Sequence, residues 1–194
     1  MNFPGIKIRQ LTTADAAAYR DIRLAGLKDS PENFGSTFDR ESAQPLAWFG
    51  DRLRKSQVFG AFRSAELLGI AGFAIREGEK ERHKGLLWGM YVRPDARKAG
   101  VGRQLVEAVI ARARNHVEVI QLSVVSGNER ARRLYARLGF VEYGVEKKSL
   151  KQNGHYYDEI LMALDLNPDS EASEVKVRRA DPAPCEELVS SGAE

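Results

Sequence analysis

Apolar and polar residues change their spacing repeatedly along the chain, and each change marks an element. Ile6 to Gln10 alternates in the manner of a half-buried strand. Thr12 or Thr13 then supplies an N-cap for a helix reaching about Lys28, with Ala16, Tyr19, Ile22, Arg23 and Leu27 along it. The polar, Pro- and Gly-containing run Asp29 to Ser36 breaks that helix, and a shorter one follows from about Pro45 to Lys55, carrying Trp48 and Leu53. Val58–Phe62, a turn near Ser64 and Leu67–Ile75 read as a hairpin. A charged turn, Glu77 to Lys84, precedes the apolar strand Leu86–Val92. The spacing returns to helical from Val101 to Arg114, and Val119–Val124 is a β-branched strand. Asn128 then caps a helix with Ala131, Leu134, Tyr135 and Leu138 on one stripe, stopped by Gly139. Val141 to Ser149, the turn Lys151-Gln152-Asn153-Gly154 and Tyr156–Leu164 complete the pattern.

Between the Leu86–Val92 strand and the Val101 helix lies Arg97-Lys98-Ala99-Gly100-Val101-Gly102. Glycines at a strand-to-helix junction let a ligand approach the backbone. The unpaired N–H groups of a first helical turn favour an anion. Arg93, Arg97, Lys98 and Arg103 add full positive charge, so the junction reads as a diphosphate cradle. The G-x-x-x-x-G-K-[ST] phosphate loop is absent, and Val106 breaks the dinucleotide G-x-G-x-x-G pattern.

About thirty residues further on stands Asn128-Glu129-Arg130-Ala131-Arg132-Arg133-Leu134-Tyr135-Ala136-Arg137-Leu138-Gly139-Phe140. The R-x-x-G-x-G turn joined to this N-x-x-A-x-x-L-Y-x-x-x-G-F helix resembles the GNAT superfamily of acyl-CoA-dependent N-acetyltransferases. The resemblance covers roughly residues 6–166. It implies an α/β (α+β) fold, with a mixed, twisted central sheet of six to seven strands flanked by helices on both faces.

The resemblance also assigns roles. Acetyl-CoA is the implied cosubstrate, with its pantetheine arm along Met90, Tyr91 and Val92. The Met90 N–H stands where the family hydrogen-bonds the thioester carbonyl, and such a donor stabilises a developing oxyanion. The diphosphate falls to Arg97, Lys98, Ala99, Gly100, Val101, Gly102 and Arg103. Asn128 caps its helix and faces the pantetheine, and Tyr135 matches the family's general acid for the leaving thiolate. Arg130, Arg132, Arg133 and Arg137 are expected along one exposed helix face, where one or two of them would serve the 3′-phosphate. The usual positions for a base hold Leu86 and Trp88, neither of which accepts a proton. That leaves Glu77, His83, Glu129, His155, Asp158 or Glu159, a water chain, or an amine acidic enough to need little help.

Composition narrows the rest. The 194 residues, 43% hydrophobic, suffice for one core. No apolar run approaches a membrane span, and no secretory leader opens the chain. The lone Cys185 excludes an internal disulfide and fits a cytoplasmic protein. His83, His116 and His155 lack metal-ligand spacing, so no metal is expected. Net charge is +3, but Arg93 to Arg137 holds ten Arg/Lys against four acids, while residues 167–194 hold seven acids against three bases. A polyanionic cofactor explains the basic stretch more economically than nucleic acid. We therefore expect a GNAT domain over residues 1–166 and an acidic, disordered tail over 167–194. The acceptor is a small-molecule or peptide amine, and the protein a monomer or homodimer. A polyamine or aminoglycoside would want carboxylates, for which Asp29, Glu32, Asp39 and Glu41 are available. A non-catalytic acyl-CoA-binding sensor is the alternative that Leu86 and Trp88 would favour.

Overall fold

The computed structural model describes residues 5–167, and the chain there opens with β1 (Ile6–Gln10), α1 (Ala16–Asp29), α2 (Phe38–Ser42) and α3 (Leu46–Lys55). It continues through β2 (Gln57–Arg63), β3 (Glu66–Ile75), β4 (Lys84–Val92), α4 (Val101–Ala113) and β5 (Val119–Val125). It closes with α5 (Glu129–Arg137), β6 (Val141–Gln152) and β7 (His155–Asp165). The tail beyond Asn167, with Cys185 in it, lies outside the described residues.

The strands form one seven-stranded sheet in the order β1-β2-β3-β4-β5-β7-β6. All pairs are antiparallel except β4 with β5, the link made by the crossover through α4. Helices cover both faces. On one, α4 and α5 bury Leu105, Val106, Val109 and Tyr135 against Leu87, Ile120, Leu122, Ile160 and Met162. On the other, α1 and α3 bury Tyr19, Ile22, Phe49 and Leu53 against Val58, Ile70 and Tyr91. The expected fold class stands, with seven strands.

Two features differ from the expected element order. First, α1 begins at Ala16, because Thr13–Asp15 forms a tighter turn whose Asp15 carboxylate accepts from Thr12 N–H (2.8 Å) and from the Arg9 guanidinium. Second, α2 is an additional helix of five residues. Thr37 caps it through its side chain, which accepts from Arg40 N–H. Its purpose is packing: Glu41 is 1% exposed and holds Arg23 of α1 through two hydrogen bonds, at 2.8 and 3.0 Å.

Candidate active site

The site begins where the sheet opens. β4 and β5 pair only over Lys84–Leu86 and Val119–Gln121, and beyond Leu86 the strand pairing ends. Three residues later β4 bulges. Trp88 pairs with Gly72 and Tyr91 with Ile70, so Gly89 and Met90 together oppose Ala71. Gly89 sits at φ +61°, a left-handed value that a side chain disfavours. The bulge reverses the alternation. Trp88 and Tyr91 turn toward α1 and α3, while Met90 and Val92 join the core under α4.

A cavity of about 900 Å³ occupies the opening. Its lining brings together Met90, Tyr91, Val92, Arg97, Lys98, Gly100, Val101, Gly102, Arg103, Asn128 and Tyr135, that is, nearly all the residues singled out above. Ala99 is the exception, for its side chain packs on the core. The loop reaches its shape through two left-handed residues, Lys98 at φ +66° and Gly100 at φ +78°, the latter capping α4. Gly102 has a packing reason as well as a ligand reason. A Cβ there would stand 2.9 Å from Met90 Cε, the mobile end of that side chain, which would have to shift. Arg97 is partly engaged: its Nε donates to Val92 C=O (3.0 Å), and it forms an ion pair with Asp29. Arg93 turns away to Glu66 and Asp95.

The opposite wall is α5. Asn128 caps it by accepting from Ala131 N–H (3.2 Å), and one amide hydrogen of Asn128 goes to Asn33 Oδ1 (2.9 Å), tying in the segment after α1. The arginines of α5 do not share one face. Arg130, Arg133 and Arg137 line the cavity, whereas Arg132 turns to Glu129 and Glu142. Tyr135 is 5% exposed, packed edge-on against Phe140, and donates to Met90 Sδ at 3.3 Å. A thioether is a weak acceptor, so this hydroxyl has no strong partner. Burial pushes its pKa well above the ordinary phenol value, and the proton stays on the oxygen at any physiological pH.

The side facing α1 and α3 is aromatic. Phe34 and Trp88 line it, and behind Trp88 the Arg52 guanidinium lies 4.9 Å from that ring and 5.0 Å from Trp48. The acidic cluster considered for a polycationic acceptor is not gathered here. Glu41 is buried against Arg23 and Arg52, Asp29 pairs with Arg97, and Glu32 accepts from Asn33. Of the base candidates, Glu77, His83 and His155 lie outside the cavity lining, and Glu129 lines it but pairs with Arg132 and Arg133. Asp158 is tied to Lys147 and to Lys148 N–H, which hold its carboxyl below the usual range. Glu159 accepts from two hydroxyls, Ser123 at 2.8 Å and Ser149 at 2.7 Å. Ser123 lines the cavity, and nothing in the strand pattern alone had singled it out.

A splayed parallel pair, a bulge at its mouth and a glycine-capped helix beside the gap thus frame the cavity. Residues 23–140 match the acetyltransferase (GNAT) family, and the chain belongs to that family. It is 31% identical over 167 residues to the L-methionine sulfoximine/L-methionine sulfone acetyltransferase of Pseudomonas aeruginosa, covering 78% of this chain and 97% of that one. Among solved structures, the GNAT-family acetyltransferase of Streptococcus pneumoniae superposes with a TM-score of 0.73 at 22% identity, over 81% of this chain and 98% of that one. A Salmonella typhimurium protein solved with its cofactor acetyl-CoA superposes at 0.70 and 24% identity, over 84% and 95%. Among the described residues no group of three or more His, Cys, Asp or Glu side chains is placed to hold a metal ion, and no helix is long and apolar enough to cross a membrane.

Proposed function

We propose that this acetyltransferase moves the acetyl group of acetyl-CoA to the primary amine of a small molecule by direct attack, both substrates being bound together. The observation that carries this reading is the meeting, in one cavity, of the first-turn N–H groups of α4, a row of cations and the Tyr135 hydroxyl. That cavity fits the cosubstrate. The N–H groups of Val101, Gly102 and Arg103 and the side chains of Arg97, Lys98 and Arg103 would hold the diphosphate. Arg130, Arg133 and Arg137 supply charge for a further phosphate. Acetyl-CoA brings an activated acyl group on a good leaving thiol, and everything else is supplied by the chain.

Within the chain, the Met90 N–H at the bulge is the donor toward the carbonyl oxygen. Tyr135 holds a proton that the departing sulfur needs, and its current partner is a sulfur too. For the acceptor, the aromatic wall and the absence of gathered carboxylates speak against a polycation. The Pseudomonas relative's acceptors are small amino-acid derivatives, and an acceptor of that size suits the space beside Trp88. The catalytic domain is residues 1–166, acting in the cytoplasm without nucleic acid or membrane. The test is a screen of thiol release from acetyl-CoA with L-amino acids, L-methionine sulfoximine, polyamines and short peptides. Small α-amino compounds should turn over and polyamines should not, and thiol release with no amine at all would remove the reading.

A further inference from the structure

The two usual places for a base hold Leu86 and Trp88, yet the same face of the sheet carries a carboxylate. Leu86 pairs with Gln121, so two residues further along each strand Trp88 and Ser123 share that face across the opening. On β7, Leu161 pairs with Ser123 and Glu159 with Val125, which places Glu159 on the same face, one pair along. The bridge is direct: Ser123 Oγ–H donates to Glu159 Oε1 at 2.8 Å. A hydroxyl has one proton, and with that proton committed its lone pairs turn outward, toward the cavity that Ser123 lines. The second carboxylate oxygen is held as well. Ser149 Oγ donates to Oε2 at 2.7 Å, and the β6 register slips between Glu146 and Leu150, with Lys148 at φ +55°, where this contact forms.

We propose that Ser123 and Glu159 form the proton exit for the acceptor amine. This rests on the acetyl-transfer reading above. The bound ammonium donates to Ser123 Oγ. Its N–H bond breaks as Oγ takes the proton, while the serine's own proton passes to Glu159 Oε1. A neutral amine, an intact serine and a neutral carboxyl result, and the carboxyl later returns its proton to water. The surroundings suit the role. The charged groups around Glu159 are Glu146, in register with it on β6 and exposed, Lys147 and Asp158, which are paired with each other, and Lys148, whose ammonium lies 5.3 Å from the centre of the Tyr156 ring. β5 contributes no charged side chain, only the Ser123 hydroxyl, the Gln121 amide and apolar groups, and among the described residues the Glu159 carboxylate is in no ion pair.

The experiment is the pH dependence of kcat/KM for wild type, Glu159→Gln and Ser123→Ala. It uses acceptors from the screen whose amines differ in pKa, such as an α-amino acid and its amide. In wild type the midpoint of the acid limb should be the same for both acceptors. In either variant the rate should fall about 10²-fold or more, and the midpoint should follow the acceptor's own amine. The more acidic amide should recover most of the loss, which a merely structural defect would not allow. Acetyl-CoA affinity by calorimetry should stay within twofold, showing that the variants are folded, and Asp158→Asn should keep the wild-type midpoint. A wild type whose midpoint already tracks the acceptor, or variants that retain the wild-type profile, would overturn the relay while leaving acetyl transfer in place. A wild type that acetylates no amine removes both.

Discussion

Tyr135 shows how one side chain carries two kinds of information. Its ring fills the core between Phe140 and Met90, and its hydroxyl is the only part that meets the cavity with chemistry to offer. Tyr135→Phe keeps the ring and removes the proton. Turnover should fall by about 10²–10⁴-fold with acetyl-CoA affinity little changed. Equal losses in affinity and turnover would make the residue a binding contact instead. A second residue-scale effect concerns folding. The Arg9 guanidinium beside Asp15 is the main reason that its carboxyl titrates at about 2, with Thr12 N–H helping and burial opposing. A carboxyl depressed in the folded state stabilises the protein above its ordinary pKa and loses that contribution as pH falls toward 2. Arg9 is partly solvated, so screening keeps the effect to at most about 2 kcal/mol. Asp15→Asn should therefore lower the unfolding free energy at pH 7 and make a much smaller difference near pH 2, measured by urea titration.

At the scale of elements, the segment from α1 to α3 depends on a charge inside it. Arg23 and Glu41 are 5% and 1% exposed, and a buried ion pair costs most when one partner is removed. Glu41→Gln leaves the Arg23 cation with a weaker partner. It should destabilise the protein by about 3–5 kcal/mol, seen as a fall in Tm, whereas Arg23→Met with Glu41→Leu should recover much of the loss. A Tm unmoved by Glu41→Gln would show that the amide and solvent already satisfy the guanidinium groups of Arg23 and Arg52. This pair was illegible beforehand, because eighteen residues separate its members and a five-residue helix leaves almost no periodicity. The elements that could be read were those with local signals. The Val101 helix, the Asn128 cap with its Gly139 stop, and the Asn153-Gly154 turn are each written in consecutive residues. Within the site the same division holds. The loop and the Tyr135 helix were legible as motifs, whereas Ser123 and Glu159 lie thirty-six residues apart and meet only through the β5–β7 register.

For the molecule as a whole, charge is the organising asymmetry. The cavity wall presents Arg97, Lys98, Arg103, Arg130, Arg133 and Arg137, while seven of the chain's acids lie beyond Leu166 against three bases. Cations on an open wall are screened by salt, so acetyl-CoA affinity should weaken steadily between low and physiological ionic strength. Nothing in the sheet needs the tail for closure. β7, the last strand among the described residues, pairs with β5 over Glu159–Asp165 and with β6 over His155–Ala163. Leu166 N–H already bonds Glu118 C=O, and the Leu166 side chain is buried. Ending the chain after Asn167 should therefore leave Tm within about 2 °C, less than a 1 kcal/mol change would produce in a domain of this size. Acetyl-CoA affinity should also match that of the full chain at every salt concentration. An acidic tail that visits the basic wall would behave differently. It would compete with the cosubstrate's phosphates, and truncation would then tighten binding at low salt and have no effect at high salt. Calorimetric titration of both forms across a salt series separates the two cases. Coincident curves support a self-sufficient domain of residues 1–166, and curves that part at low salt would assign the tail a place on the cosubstrate site.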